Sequence, residues 1–389
     1  MKKIAILGST GSIGKQTIDI IRKNKKDFKI YLLTTNKNHT LLSKQIKEFN
    51  VKNVIVTDRN SFLILKKKFK KINILNNFDK IDKIISSKLD YTMSSISGFD
   101  GLKPTLDIIK FTKTIAIANK ESIICGWSLI SKKLKKYKTK FIPVDSEHFS
   151  IWSLIKNSSV KNIEKIIITA SGGPFLNTTY KKLKRITPLD AIKHPNWKMG
   201  KKISIDSATL MNKIFEVIEA KKIFNIKYNK FKILIHPKSY IHAIVKFKNG
   251  LIKIIAHDTD MKVPIFNSIY SDTNKEIKTK DINYKVLNNL NLQNVDSKKF
   301  PVIKLLKKIP EKDSLFETIL VSANDELVDL FLKKQISFLN ISKNLNNYLN
   351  INIFDKYKRQ KPKNLAQIVK LNNFVRLKTK TLSIWYRDV

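Results

Sequence analysis

The sequence predicts an α/β chain: an N-terminal doubly wound parallel sheet over residues 1–145, a central α+β region over 146–270, a polar linker over 271–300 and a small helical bundle over 301–389. Three observations predict it. Strand-like apolar runs alternate with helix-like stretches up to about residue 145. The first run, Ile4-Ala5-Ile6-Leu7, is apolar on both faces, as a strand inside a parallel sheet must be. Beyond residue 300 the chain reads as short helices rich in Leu, Asn and Lys.

The glycine loop comes first. Residues 8–14 read GSTGSIG, so Gly8, Gly11 and Gly14 follow the first strand directly. Glycine permits a tight turn and a close approach of backbone to a pyrophosphate. Ile13, Thr17, Ile18 and Ile21 then give a helix whose N-terminal N–H groups face that phosphate. This is the signature of a Rossmann-like dinucleotide site. A P-loop is a competing reading, and it misses at both ends. Ser9 stands where its first glycine belongs, and Gln16 where a magnesium-binding hydroxyl belongs. A glycine-rich turn without a ligand is the other alternative.

The second strand, Phe28–Thr34, ends in Thr35-Asn36-Lys37-Asn38. An NAD site places an acid here for the ribose hydroxyl. This chain has none, and Lys37 suits a 2′-phosphate, which favours NADP(H). As one lysine among many, Lys37 also fits a plain surface position. Further strands are expected at 53–57, 91–96, 114–118 and 141–144, then at 165–170 and 240–247.

Composition narrows the function classes. A chain of 389 residues exceeds a single domain. Its one cysteine, Cys125, excludes an intrachain disulfide and fits a reducing compartment, so a cytoplasmic location is expected. Gly8 interrupts the apolar start too early for a signal peptide, and no apolar run is long enough to span a membrane. The formal net charge is +45, from 76 basic and 31 acidic residues. A nucleic-acid binder is one reading of such a balance. The lysines are scattered, however, in groups such as Lys66-Lys67-Lys68 and Lys132-Lys133, and aromatics do not interleave with them systematically. With Asn and Ile also abundant, the excess reads as compositional bias on solvated faces. It implies no specific nucleic-acid partner, and it would still attract anionic phosphates.

Pro143-Val144-Asp145-Ser146-Glu147-His148 follows an apolar strand. In an extended segment Asp145 and Glu147 project together, two hard oxygen ligands for Mg²⁺ or Mn²⁺ at the carboxyl end of a strand. A solvated acidic loop is the bland alternative. Ser207 is expected to cap a helix running to Glu219, with Leu210, Ile214 and Ile218 on its apolar line. Asn212, Glu216 and Glu219 share a polar stripe, either exposed or closing over the metal with Glu216 as third ligand. Ser171-Gly172-Gly173 offers backbone N–H groups and a hydroxyl to an anion. His194 to Lys201, with Trp197 and a terminal glycine hinge at Gly200, reads as a lid that excludes water.

Taken in order, Gly8–Gly14, Ala118-Asn119-Lys120-Glu121-Ser122, Pro143–His148, Ser171–Phe175, His194-Pro195-Asn196-Trp197, Ile205–Thr209 and Met211-Asn212-Lys213 resemble the 1-deoxy-D-xylulose 5-phosphate reductoisomerase family over roughly residues 1–265. The resemblance implies NADPH-dependent, Mg²⁺- or Mn²⁺-dependent conversion of that sugar phosphate to 2-C-methyl-D-erythritol 4-phosphate in non-mevalonate isoprenoid biosynthesis, by a homodimer. It makes residues 1–145 the NADPH domain and 146–270 the catalytic domain, with a lid at about 194–202. Asp145, Glu147 and Glu216 match metal ligands. Lys120, Ser146 and Glu147 match substrate contacts, and Ser171, Ser207, Asn212 and Lys213 the phosphate grip. Thr10, Gly11, Ser12, Ile13, Lys37, Asn38, Asn119, Glu121 and Gly200 match NADPH contacts, with Asn36 beside them. Lys120, Glu147, His194, Glu216 and Glu219 form the expected catalytic set, Glu219 being added from its place on the metal-facing stripe, either to support a metal ligand or to handle a proton. His194 and Trp197 cover the substrate.

Four departures from the family pattern stand out: Asn36 for Gly, Ile214 for Gly, Lys198 for a small polar residue, and Ala256–Lys262 for a Leu-Gly-x-Pro-Asp-Met-Arg run. Asn36 is expected to tolerate the left-handed turn a glycine would make. Another NADP-dependent sugar-phosphate or semialdehyde dehydrogenase is the alternative function, and it would need no cluster of Asp145, Glu147 and Glu216.

Overall fold

The computed structural model describes residues 1–197, 199–271 and 275–385. The chain divides into two compact units. The first comprises residues 1–122, 129–149 and 261–278, the second the remainder.

Seven strands build the first unit: β1 (Lys2–Leu7), β2 (Phe28–Thr35), β3 (Asn53–Val56), β4 (Asn73–Leu75), β5 (Leu89–Ser94), β6 (Thr112–Ile117) and β7 (Lys140–Pro143). They pair in the order β4-β3-β2-β1-β5-β6-β7, every pair parallel. The order reverses at β1, so the crevice at its carboxyl end is the switch point where such sheets bind ligands. Ile4, Ala5, Ile6 and Leu7 are fully buried, as their two-sided apolar pattern requires. The helices in this stretch are α1 (Ser12–Lys23), α2 (His39–Phe49), α3 (Arg59–Lys68), α4 (Leu102–Ile108), α5 (Lys120–Tyr137) and, after β7, α6 (Ser146–Ile155); residues 123–128 of α5 and 150–155 of α6 belong to the second unit.

The second unit holds a mixed sheet in the order β11-β10-β8-β9-β12, with β8 (Ile163–Ala170), β9 (Phe231–Ile235), β10 (Ile241–Phe247), β11 (Ile252–Ala256) and β12 (Gln293–Asn294). Its helices begin with α7 (Tyr180–Leu183), α8 (Pro188–Ala191), α9 (Lys201–Ala208) and α10 (Met211–Phe224). Next in the chain is α11 (Lys262–Ile269), which returns to the first unit. Then follow α12 (Tyr284–Leu287), α13 (Phe316–Leu332), α14 (Phe338–Tyr348) and α15 (Leu365–Trp385).

Three sequence expectations change here. Residues 261–270 leave the central region, and 271–278 the linker, for the first unit, because Ile265, Phe266, Ile269 and Tyr270 are buried in one core with Ile4, Ile18 and Ile21. The 271–300 stretch carries α12 and also β12, which pairs antiparallel with β9; its residues 272–274 lie outside the described residues, as do residues 386–389 of the helical region. The C-terminal helices are not uniformly short. Helix α13 runs 17 residues and is buried from Phe316 through Val328 on all sides, so no amphipathic stripe announces its length.

Candidate active site

In the first unit the glycine loop is shaped by two close approaches. Gly8 has φ +81°, and a Cβ on Gly14 would lie 2.2 Å from the Gly8 carbonyl oxygen. Gly11 N–H closes the turn on that same oxygen at 3.0 Å, and Gly11 is the N-cap of α1 with no side-chain cap. Ser12 and Ile13 open the helix, so its first N–H groups face the loop. Ser9, the residue that spoils a P-loop, is fully buried, with its hydroxyl on Gln45 of α2 at 2.8 Å. Thr10 and Thr35 share a hydroxyl contact at 2.6 Å, which joins the loop to the end of β2.

Beyond β2, Asn36 avoids the left-handed region, correcting the expected turn. Its side chain instead donates to the Thr57 hydroxyl at 2.8 Å. Asn38 caps α2 by accepting Leu41 N–H, and the Lys37 carbonyl accepts from Ser61, which leaves the Lys37 backbone fixed. At the other side of β1, Asn119 caps α5 through Ser122 N–H and donates to Ile96 O and to Gly98 O.

That cap places Lys120 and Glu121, both buried, in the first turn of α5. The Lys120 ammonium meets Asp145 Oδ2 at 3.0 Å. The other Asp145 oxygen accepts Glu147 N–H at 3.3 Å and His148 Nδ1–H at 3.1 Å, which fixes that imidazole's tautomer. Ser146 donates to Glu147 Oε2 at 2.5 Å. The two acids are neighbours for a reason other than the one the sequence offered. Strand β7 ends at Pro143, and Glu147 sits in the first turn of α6, where strand alternation does not apply.

In the second unit, β8 delivers Ser171 into a loop in which Gly172 and Gly173 have φ +82° and +68°. His194 binds across it. Its Nδ1 accepts two backbone N–H groups, from Asn196 at 3.1 Å and Trp197 at 3.0 Å. The proton therefore rides on Nε2, which lies 3.1 Å from both the Ser171 and the Ser207 hydroxyls. Burial, and then the nearby Lys213 ammonium, push the imidazole down to about 4, so it is neutral. Asn196 pins the loop by donating to Pro237 O at 2.7 Å and to the Ser239 hydroxyl at 3.0 Å. Lys198 lies outside the described residues.

Ser207 is not a helix cap. It sits inside α9, and Leu210 at φ +68° turns the chain into α10. The Thr209 hydroxyl takes Met211 N–H instead, which leaves Ser207 facing His194. On α10, Asn212 and Lys213 both donate to the Glu216 carboxylate. Glu216 and Glu219 are each 1% exposed, which rules out a solvated stripe. Ile214, the departure from glycine, is simply a buried core residue. Gly200 has an ordinary extended φ of −66° and caps α9 through its carbonyl, so it is no special hinge.

Sequence reasoning missed one feature beside the loop. The Trp197 ring meets His242 edge-on at 6.1 Å, and His242 stacks on His257 at 3.8 Å. The β10–β11 register, which pairs Ile241 with Ala256, makes the two histidines neighbours. With only six histidines in the chain, a hairpin carrying two of them was the available signal.

The profile of 1-deoxy-D-xylulose 5-phosphate reductoisomerase matches residues 4–126, and profiles of its C-terminal domains match 141–224 and 257–378. A 1-deoxy-D-xylulose 5-phosphate reductoisomerase from Pelagibacter ubique is 63% identical over 99% of this chain and 100% of its own length. The chain belongs to the 1-deoxy-D-xylulose 5-phosphate reductoisomerase family. Two solved structures of reductoisomerases superpose over nearly the whole chain. The Zymomonas mobilis enzyme in complex with NADPH is 32% identical with a TM-score of 0.87, covering 98% of this chain and 99% of its own. A reductoisomerase in complex with NADPH, fosmidomycin and magnesium is 29% identical with a TM-score of 0.90, covering 100% and 99%. The reductoisomerase match over 141–224 takes in Asp145–Glu147, Ser171, His194, Ser207 and all of α10. The His242 strand lies between the matched segments, and His257 opens the last of them.

Proposed function

We infer that this chain binds NADPH and Mg²⁺ or Mn²⁺, rearranges 1-deoxy-D-xylulose 5-phosphate, and reduces the branched aldehyde to 2-C-methyl-D-erythritol 4-phosphate in non-mevalonate isoprenoid biosynthesis. Family membership supports the reaction. One arrangement of this chain's own residues carries it: the Ser171–His194–Ser207 trio beside Lys213. Two hydroxyls and a neutral imidazole give directed hydrogen bonds, and the ammonium gives charge, which together suit a phosphate dianion.

Asp145, Glu147 and Glu216 are the acids we assign to the cation. Hard carboxylate oxygens suit Mg²⁺ and Mn²⁺. Lys120 offsets the partly buried Asp145, and Lys213 with Asn212 offsets the buried Glu216, so both acids have counter-charges of their own. When bound, the cation supplies a Lewis acid and NADPH a hydride. Around them Lys120 and Ser146 orient the substrate's hydroxyl end, and Glu147 and Glu219 hold protons. Trp197 and His194 cover the substrate and exclude water. Thr10–Ile13 and the α1 N-terminus hold the NADPH pyrophosphate, with Asn36, Lys37 and Asn38 at the 2′-phosphate and Asn119, Glu121 and Gly200 along the remainder.

The partner beyond the sugar phosphate is a second copy of the chain. The expected dimer strand, β10, is buried between β11 and β8. The edge strand beside it is β11, where Ile252 and Ile254 are 58% and 47% exposed. An apolar edge of this kind is managed by pairing. Replacing both isoleucines with lysine should convert a dimer to a monomer in light scattering; a wild-type chain that is monomeric at micromolar concentration refutes the assignment. Among the described residues no helix is long and apolar enough to cross a membrane. The single cysteine, Cys125, is buried, and a chain with one cysteine has no intrachain disulfide, which supports a reducing, cytoplasmic setting.

NADPH absorbance with 1-deoxy-D-xylulose 5-phosphate, with and without Mg²⁺, tests the reaction. Oxidation that requires both, and that Asp145→Asn abolishes, supports it. Turnover indifferent to EDTA, or a fully active Glu216→Gln variant, favours a metal-independent dehydrogenase.

A further inference from the structure

We propose that the C-terminal helices set the position of Ser207 through a buried polar clamp, which makes Asp206 and Asn324 positioning residues for the substrate phosphate. The inference rests on the reading of Ser207 as a phosphate contact.

Asp206 precedes Ser207 on α9 and is 2% exposed. Both of its carboxylate oxygens are engaged. Oδ1 accepts from Asn324 Nδ2 of α13 at 2.8 Å, and Oδ2 meets Lys202 Nζ at 3.0 Å. Lys202 also reaches Asp325 Oδ1 of α13 at 3.0 Å and lies 5.3 Å from the Phe215 ring centroid on α10. Asn324 is fully buried. Successive residues of a helix diverge by about 100°, so Asp206 faces α13 while Ser207 faces His194. The other face of α9 is equally constrained, because the Gly173 loop packs against the Ser207 carbonyl.

Energetics favour a positional role over a stabilising one. Burying charges is costly, and apolar side chains of similar size commonly stabilise such a contact at least as well. Two acids, a lysine and an amide at the α9–α13 contact instead fix one register between the helices, since hydrogen bonds are directional where apolar packing is not. Helix α13, buried all round, is the rigid reference.

The test is steady-state kinetics on the full chain with NADPH and Mg²⁺, with inorganic phosphate as a competitive inhibitor. Asn324→Ala and Asp206→Asn should each raise KM for the sugar phosphate and Ki for phosphate roughly tenfold, leaving KM for NADPH within about twofold. In a Ser207→Ala background, Asn324→Ala should add nothing, because the clamp acts through Ser207. The exchanged pair Asp206→Asn/Asn324→Asp keeps a hydrogen bond between the helices and should restore KM and Ki. A folded Asn324→Ala protein with wild-type KM and Ki overturns the proposal, as does a full additional loss in the Ser207→Ala background. If Asn324→Ala does not fold, the exchanged pair decides alone: restored constants support the clamp, raised ones overturn it. Ser207→Ala with unchanged KM and Ki would instead refute the phosphate contact itself, which separates the two failures.

Discussion

His194 accepts two backbone N–H groups on Nδ1, so protonating it would sacrifice both contacts and set a second cation beside Lys213. Its pKa falls from 6.5 to about 4 on folding. For a base with a depressed folded-state pKa, the stabilising contribution is full above about 6.5 and is lost as pH falls through about 4. Acid-induced weakening of the folded chain between those values should therefore shrink in His194→Gln, and the His194 ring signals should titrate near 4 by NMR. A midpoint near 6.5 in the folded enzyme would remove this account. Gly173 gives a second residue-scale expectation. At φ +68°, a Cβ would lie 2.8 Å from the Ser207 carbonyl oxygen. Gly173→Ala should lower kcat/KM roughly tenfold or more by displacing Ser207, and a wild-type value with the sugar phosphate would show that the loop has room to move. Legibility at this scale followed chemistry more closely than geometry. Strand alternation pairs Asp145 and Glu147 as oxygen donors, yet Glu147 is helical. The sequence offers Ser207 as a helix cap, yet it lies inside α9, and the N-cap of α10 is Leu210.

At the scale of elements, the β1–loop–α1 unit was readable because each glycine has a mechanical reason. Gly14→Ala would drive a methyl group into the Gly8 carbonyl and the Ser9 backbone, neither of which can yield as a flexible side chain would. The expected result is weaker NADPH binding by at least about tenfold together with a lower melting temperature, measured by fluorescence titration and calorimetry. Unchanged affinity would mean that the loop does not carry the pyrophosphate. Elements without such punctuation were read poorly. The break between α9 and α10 falls at Leu210, a bulky residue at φ +68° with no glycine to mark it. Strand β12 is two polar residues long and exists only by pairing with β9. Helix α13 carries Glu317, Asn324, Asp325 and Glu326 in buried positions, so periodicity could not separate its core from its surface.

For the whole molecule, a charge of +45 should draw an anionic substrate toward the site, and kcat/KM should fall as salt is raised from about 20 to 300 mM while kcat holds. A salt-independent kcat/KM would mean that the lysines act only as solvation. The doubly wound sheet was legible from alternation alone, whereas the return of residues 261–278 to it was not, because that choice is made by packing against distant side chains. The return has a consequence for synthesis. Ile265, Phe266, Ile269 and Tyr270 complete a core whose other members include Ile4, Ile18, Ile21 and Phe28. A ribosome that has made only the first 200 residues has therefore released a nucleotide-binding half with part of its apolar floor still unbuilt. Such a nascent chain shows sticky surface to its neighbours until the α11 segment emerges, and this places its greatest need for chaperone protection midway through translation.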